Sequence, residues 1–122
     1  MRRKIAYIME RKTFSVMFFF RRTNLRKNQE APVFLRITVN GVRADISIQL
    51  TVPPDQWNPA RGRARQTTQL GKDLNEYLDQ IRQRVYQCRH DMKFRNKTIT
   101  AGSIKDEYLY DRVKEIHTLL EI

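Results

Sequence analysis

The chain has 122 residues, 40% of them apolar, with 24 Lys and Arg against 13 Asp and Glu, a net charge of +11. That length allows one small domain, or one domain and a piece of another, with a modest core. No stretch approaches the roughly 20 apolar residues of a membrane span, and the single Cys88 cannot form an internal disulfide. An imbalance of +11 points to an anionic partner, nucleic acid before an anionic surface.

Residues 1–12, MRRKIAYIMERK, begin basic but carry an apolar run of only four residues, Ile5 to Ile8, plus Met9. A signal peptide needs roughly 7 or more, so this stretch reads as a flexible basic arm of a cytoplasmic protein.

Three strands are expected next, because apolar residues recur with period two. The first alternates Phe14, Val16, Phe18 and Phe20 against Ser15, Met17, Phe19 and Arg21. A polar loop, TNLRKNQEA, leads to the second, where Val33, Leu35, Ile37 and Val39 alternate with Phe34, Arg36, Thr38 and Asn40. Asn40-Gly41 is a strong hairpin signal, since both turn positions favour positive φ. The third strand sets Ala44, Ile46, Ile48 and Leu50 against Arg43, Asp45, Ser47 and Gln49. The result is an antiparallel meander with one oily face that must be covered and one wet face.

The segment TVPPDQWNPARGRARQTTQLG carries three prolines and two glycines and is expected to lack regular structure through most of its length. Trp57 is its one large apolar residue and reads as an anchor to the core. Arg61, Arg63 and Arg65 make a basic loop. From Gln69 to Phe94 the period changes: Leu70, Leu74, Tyr77, Leu78, Ile81, Val85, Cys88 and Met92 form one helical stripe. This helix is expected to cover the sheet, with Cys88 a small buried hydrophobe. Its other face, with Lys72, Arg82, Arg89 and Lys93 among Asp73, Glu76, Asp79 and Asp91, reads as a mixed-charge surface.

Thr100 is expected to cap a second, short helix marked by Ile104 and Tyr108, within a linker spanning 97–117. Thr118 and Glu121 then have the spacing of a capping box opening a further helix. That spacing suggests a piece of a longer protein, with another domain starting at 118–122. The fold class is thus α+β: a three-stranded antiparallel sheet packed on a C-terminal helix and followed by a short helix, with the main domain at 13–96.

No catalytic pattern is present: no glycine-rich phosphate loop, no HExxH, no CxxC, and no Ser or Cys plausibly paired with His90 or His117. Neither a reaction, a cofactor nor a bound metal is expected of this chain. What remains is a binding surface. A β-ribbon has the width of the DNA major groove, and Arg is suited to guanine O6 and N7 and to phosphate. Arg36, on the central strand, is the first candidate for a base contact, flanked by Arg21 and Arg43. Thr38 and Ser47 can hydrogen-bond, and Phe19 and Phe34 supply apolar contact. Arg26, Lys27, Arg61, Arg63 and Arg65 are the candidate phosphate contacts, which fix register without reading sequence. The competing view is a solvated face on which Arg43 and Asp45 pair.

The run TFSVMFFFRRTNLRKNQEAPVFLRITVNGVRADISIQLTVPPDQWNPARGRA, with LNEYLDQIR and TLLEI after it, resembles the N-terminal arm-binding domain of tyrosine recombinases (phage-type integrases), especially those of Bacteroides mobile elements. The resemblance runs from about Thr13 to Ile122, and its most specific parts are the Pro32–Gly41 strand and turn and the Gln56-Trp57-Asn58 anchor. It implies a sheet that enters the major groove of arm-type repeats in double-stranded DNA, in a bacterial, nucleoid-associated protein. It also implies that TLLEI opens a helical core-binding domain, that a catalytic domain with Arg, His and Tyr residues follows, and that other integrase protomers are contacted. Neither a membrane nor a small-molecule substrate enters this picture. Two other classes stay open from the residues: a sheet-based RNA binder that stacks bases on Phe19 and Phe34, and a module that pairs an edge strand with a protein partner.

Overall fold

The computed structural model describes residues 13–21 and 29–120, with side chains as far as 115. Strands β1 (Phe14–Phe20), β2 (Ala31–Val39) and β3 (Val42–Val52) form an antiparallel sheet in the order β1-β2-β3. Asn40 and Gly41 take φ of 51° and 85°, the left-handed pair that a two-residue hairpin turn requires. The turn sets Val39 opposite Val42, and the register runs back from there: Thr38 faces Arg43, Arg36 faces Asp45 and Phe34 faces Ser47. Beyond Phe34 the register shifts, and Val33 faces Leu50. Ile48 and Gln49 are the extra residues on β3, and Gln49 absorbs the irregularity at φ 58°. Because two residues are inserted, the in-out alternation survives: Ile46, Ile48 and Val52 are all buried.

The apolar face is as expected. Val16, Phe18, Val33, Leu35, Ile37, Val39, Ile46 and Ile48 are buried, and Phe14, Phe20, Ala44 and Leu50 pack around them. Helix α1 (Gln69–Phe94) starts where the periodicity places it, with Thr68 as N-cap accepting from the Gly71 N–H at 3.1 Å. Leu78, Ile81, Val85, Cys88 and Met92 are buried in the same core, but Leu70, expected in the stripe, is 53% exposed. It lies in the first turn, ahead of the core.

The expected cover needs correction. The sheet is not covered by α1 alone. Helix α2 (Ala101–Leu120) approaches β3 and β2, while α1 approaches β1. Ala101, Ile104 and Tyr108 of α2 are core residues. Nor is α2 short: it has 20 residues, so most of the 97–117 stretch is helix rather than linker. Thr100 does cap it, in a reciprocal box in which the Ser103 N–H donates to Thr100 Oγ1 (2.9 Å) and the Thr100 N–H donates to Ser103 Oγ (2.8 Å). Thr118 lies inside α2 and does not open a new helix. Polar pairs tie the outer half of α2 back to α1: Arg95 to Glu107 (2.9 Å), the Cys88 thiol to Asp111 (3.4 Å) and Arg84 to Glu115 (2.6 Å). These partners are far apart in sequence, so no local pattern announces them. Burial, reinforced by Asp111, pushes the Cys88 thiol up to about 12, which leaves it protonated, as a small buried group.

The charged side of α1 is also more than a solvated surface. The Arg82 guanidinium donates to the Val16 carbonyl at 2.7 Å and lies over the Phe18 ring at 5.4 Å, and Arg89 lies over Phe14 at 4.6 Å. These arginines lie along β1, at the edge of the sheet.

The 51–68 stretch holds more order than its prolines suggest. A 3-10 turn (Pro54–Gln56) leads into a two-stranded ladder, β4 (Trp57–Asn58) with β5 (Arg63–Ala64). Trp57 is 1% exposed and lies against Phe20, the anchor expected of it. Asn75, a buried polar residue on α1, holds β5 with its amide: it accepts from the Ala64 N–H (2.8 Å) and donates to the Ala64 carbonyl (2.9 Å). Gly71 permits the loop to close on the helix, because a Cβ there would overlap the Arg65 carbonyl oxygen.

Candidate nucleic-acid interface

With both helices on one side, the second face of the sheet carries a built cluster. Side chains sit there in cross-strand rows: Ser15, Thr38, Arg43; then Met17, Arg36, Asp45; then Phe19, Phe34, Ser47. Successive rows are about 6.4–6.8 Å apart along the strands. Arg21 follows Phe19 at the end of β1, where its N–H donates to the Pro32 carbonyl.

The centre of the cluster is a fork. Arg36 donates from Nε to Asp45 Oδ1 at 2.8 Å and from Nη2 to Asp45 Oδ2 at 3.0 Å. The hairpin explains why. Because Arg21 binds Pro32 across β1 and β2, the two-residue alternation turns the Arg36 backbone toward β1 as well. Arg36 and Asp45 are then a non-hydrogen-bonded pair of the β2–β3 ladder, the kind whose side chains lie closest. Arg21 adds a second cation, 3.8 Å from Asp45 Oδ2.

Aromatic rings support both guanidiniums. Phe19 and Phe34 stack with centroids 5.6 Å apart, Arg36 lies over Phe19 at 4.4 Å, and Arg21 lies over Phe34 at 4.2 Å. The hydrogen bonds from Arg36 hold the Asp45 carboxyl below its ordinary range, against the opposing effect of burial, with the charges of Arg36, Arg21 and Arg43 adding to the shift. Asp45 in turn raises Arg36.

Of the residues singled out from the sequence, Phe19, Arg21, Phe34, Arg36, Thr38, Arg43 and Ser47 share this face. Arg43 and Ser47 are exposed, while Thr38 is half-buried. Asp45 pairs with Arg36 rather than with Arg43, which sits two residues along the same strand. The sequence carried the signal: the Asn40-Gly41 turn by itself sets Arg36 opposite Asp45. Arg61, Arg63 and Arg65 do not join the face. Their loop lies against the outer edge of β1, where Gly62 comes so close to the Phe18 carbonyl that an added Cβ would stand 2.8 Å from its oxygen. Arg63 pairs with Asp79 at 3.5 Å, and Arg65 donates to the Asp55 carbonyl at 3.2 Å. Arg26 and Lys27 lie outside the described residues.

The geometry bears on the other two classes. Each ring of the Phe19–Phe34 pair already carries a guanidinium, so these rings are not open platforms for bases. The β1 edge is covered by Arg82 and by the loop at Gly62, which removes one of the two edges at which a partner strand could add. Among the described residues, no group of three or more His, Cys, Asp or Glu is placed to hold a metal, and no helix is long and apolar enough to cross a membrane.

The fold and this face define a basic sheet domain with two helices on one side and an arginine–aromatic surface on the other. The chain belongs to the Arm DNA-binding domain family, whose profile matches residues 18–105. Its partner is therefore DNA, and domains of this type are typical of integrase N-termini. No curated protein and no solved structure matches the chain.

Proposed function

We propose that the open sheet face enters the major groove of arm-type DNA sites and reads them with Arg36, flanked by Arg21 and Arg43, as the N-terminal part of a tyrosine recombinase. The observation that carries this is the clustering of Arg21, Arg36, Phe19 and Phe34 on the sheet face that neither α1 nor α2 covers. A β-ribbon carrying such a face has the width of the groove. The 61–65 loop, with Arg26 and Lys27 as further candidates, supplies the phosphate contacts that fix register. The parent protein continues into core-binding and catalytic domains and serves integration and excision of a mobile element of the Bacteroides type, which is what the resemblance of Thr13–Ile122 supports. The arm-binding domain positions that enzyme without taking part in strand cleavage.

Chemical-shift mapping with duplex DNA from the ends of the parent element tests the docking. Perturbations are expected at Phe19, Arg21, Phe34, Arg36, Arg43 and Ser47. If these stay silent while the exposed face of α1 responds, the groove-reading mode is wrong.

A further inference from the structure

We infer that Asp45 is a positioning residue that fixes the edge of the Arg36 guanidinium presented to DNA, and so sets the domain's preference for a guanine at one base pair. The inference rests on the groove-reading mode above. A guanidinium has five N–H groups and two ways to offer a parallel pair: side-on through Nε and Nη2, or end-on through Nη1 and Nη2. Asp45 occupies the side-on pair, at 2.8 and 3.0 Å. Among the described residues, Nη1 has no hydrogen-bond partner, so the end-on pair remains for O6 and N7 of guanine.

Phe19 fixes the remaining freedom. With the Arg36 carbon 4.4 Å from its centroid, the ring limits tilt of the guanidinium plane. The side chain is therefore held before DNA arrives, which lowers the ordering cost of binding.

An acidic group on a DNA-reading face repels phosphate. The pair is largely buried, with side-chain exposures of 23% for Arg36 and 26% for Asp45, so the two-bond fork holds the guanidinium in one orientation. Arg21 shares the same carboxylate at 3.8 Å, so loss of Asp45 would release both arginines from their present arrangement.

The test selects binding sites from a randomised duplex pool with the full chain, then repeats the selection with Asp45→Asn, Arg36→Ala and the double variant. Asp45→Asn keeps the shape and removes the charge-assisted fork. It should lower the preference for one G·C pair about tenfold, while affinity for a non-specific duplex stays equal or rises. Arg36→Ala should lose the preference at the same pair, and the double variant should be no worse than Arg36→Ala. Loss of the preference in Arg36→Ala with its retention in Asp45→Asn would overturn the inference and leave the groove-reading mode standing. Retention in Arg36→Ala would overturn both. Loss at a different base pair in Asp45→Asn would mean that Asp45 contacts a base itself, and the positioning role would fall.

Discussion

The two faces of the sheet are both organised, but by different forces. The inner face is apolar on all three strands, and two helices remove it from water. Burial is non-directional, so any helix with a matching stripe can serve, and two do. The outer face is held by directed contacts: a two-bond fork, two guanidiniums over rings, and a carboxylate shared between arginines. The inner face makes the domain fold, while the outer face gives the fold something to recognise. Substitutions on the inner face should therefore act on stability, and those on the outer face on binding.

The largest effect is expected in the core. Ile104→Ala on α2 and Ile81→Ala on α1 should each destabilise the domain by about 2–5 kcal/mol, since both side chains are at most 2% exposed. Thermal melting separates the two helices: an unchanged melting temperature for Ile104→Ala would return the sheet to α1 alone. A smaller loss is expected at the support of the basic loop. Asn75→Ala strands the N–H and the carbonyl of Ala64 and should cost about 1–3 kcal/mol. Amide exchange at Ala64 should accelerate, and continued protection there would mean that the ladder holds without the helix.

On the outer face the order reverses. Arg36→Ala should weaken binding to the selected site by about 1–3 kcal/mol, with a smaller effect on stability than either core substitution. A large fall in melting temperature would show that the cluster is structural. Arg63→Ala should weaken all duplexes alike and reduce the slope of binding against salt by about one unit, measured by anisotropy across a salt series. A slope equal to that of the unaltered chain would remove this loop from the phosphate contacts.

The smallest effect is in acid. Folding holds Asp45 below its ordinary value of 3.8, so its stabilisation is present above that value and lost as pH falls through the folded one. The melting difference between the unaltered chain and Asp45→Asn should be constant near neutrality and shrink below about pH 3.8. A difference that persists undiminished in stronger acid would assign the effect to shape rather than charge.

Much of this was legible in the residues. Period-two alternation located all three strands and both faces, Asn40-Gly41 located the turn, and the stripe from Leu74 to Met92 located α1. Trp57 was recognisable as an anchor because nothing else in its loop could bury comparable area. The reach of α2 was not legible. Among its described side chains the core positions are Ala101, Ile104 and Tyr108, and its outer half is held by Glu107, Asp111 and Glu115 finding partners on another helix. The β4–β5 ladder was hidden for a similar reason, since it is completed by an amide on α1, eleven residues away.

The sequence by itself determined the elements whose signal is local: strands, their faces, the hairpin register and the long helix. Through that register it also determined that Arg36 meets Asp45. Only the tertiary structure decided which helix covers which strand, that Arg82 closes the β1 edge while Arg36 stays on the open face, and that the 61–65 arginines lie beside the sheet rather than on it. Those outcomes depend on contacts between residues remote in the chain, where burial, ring and hydrogen-bond geometry are settled only when the whole domain has closed.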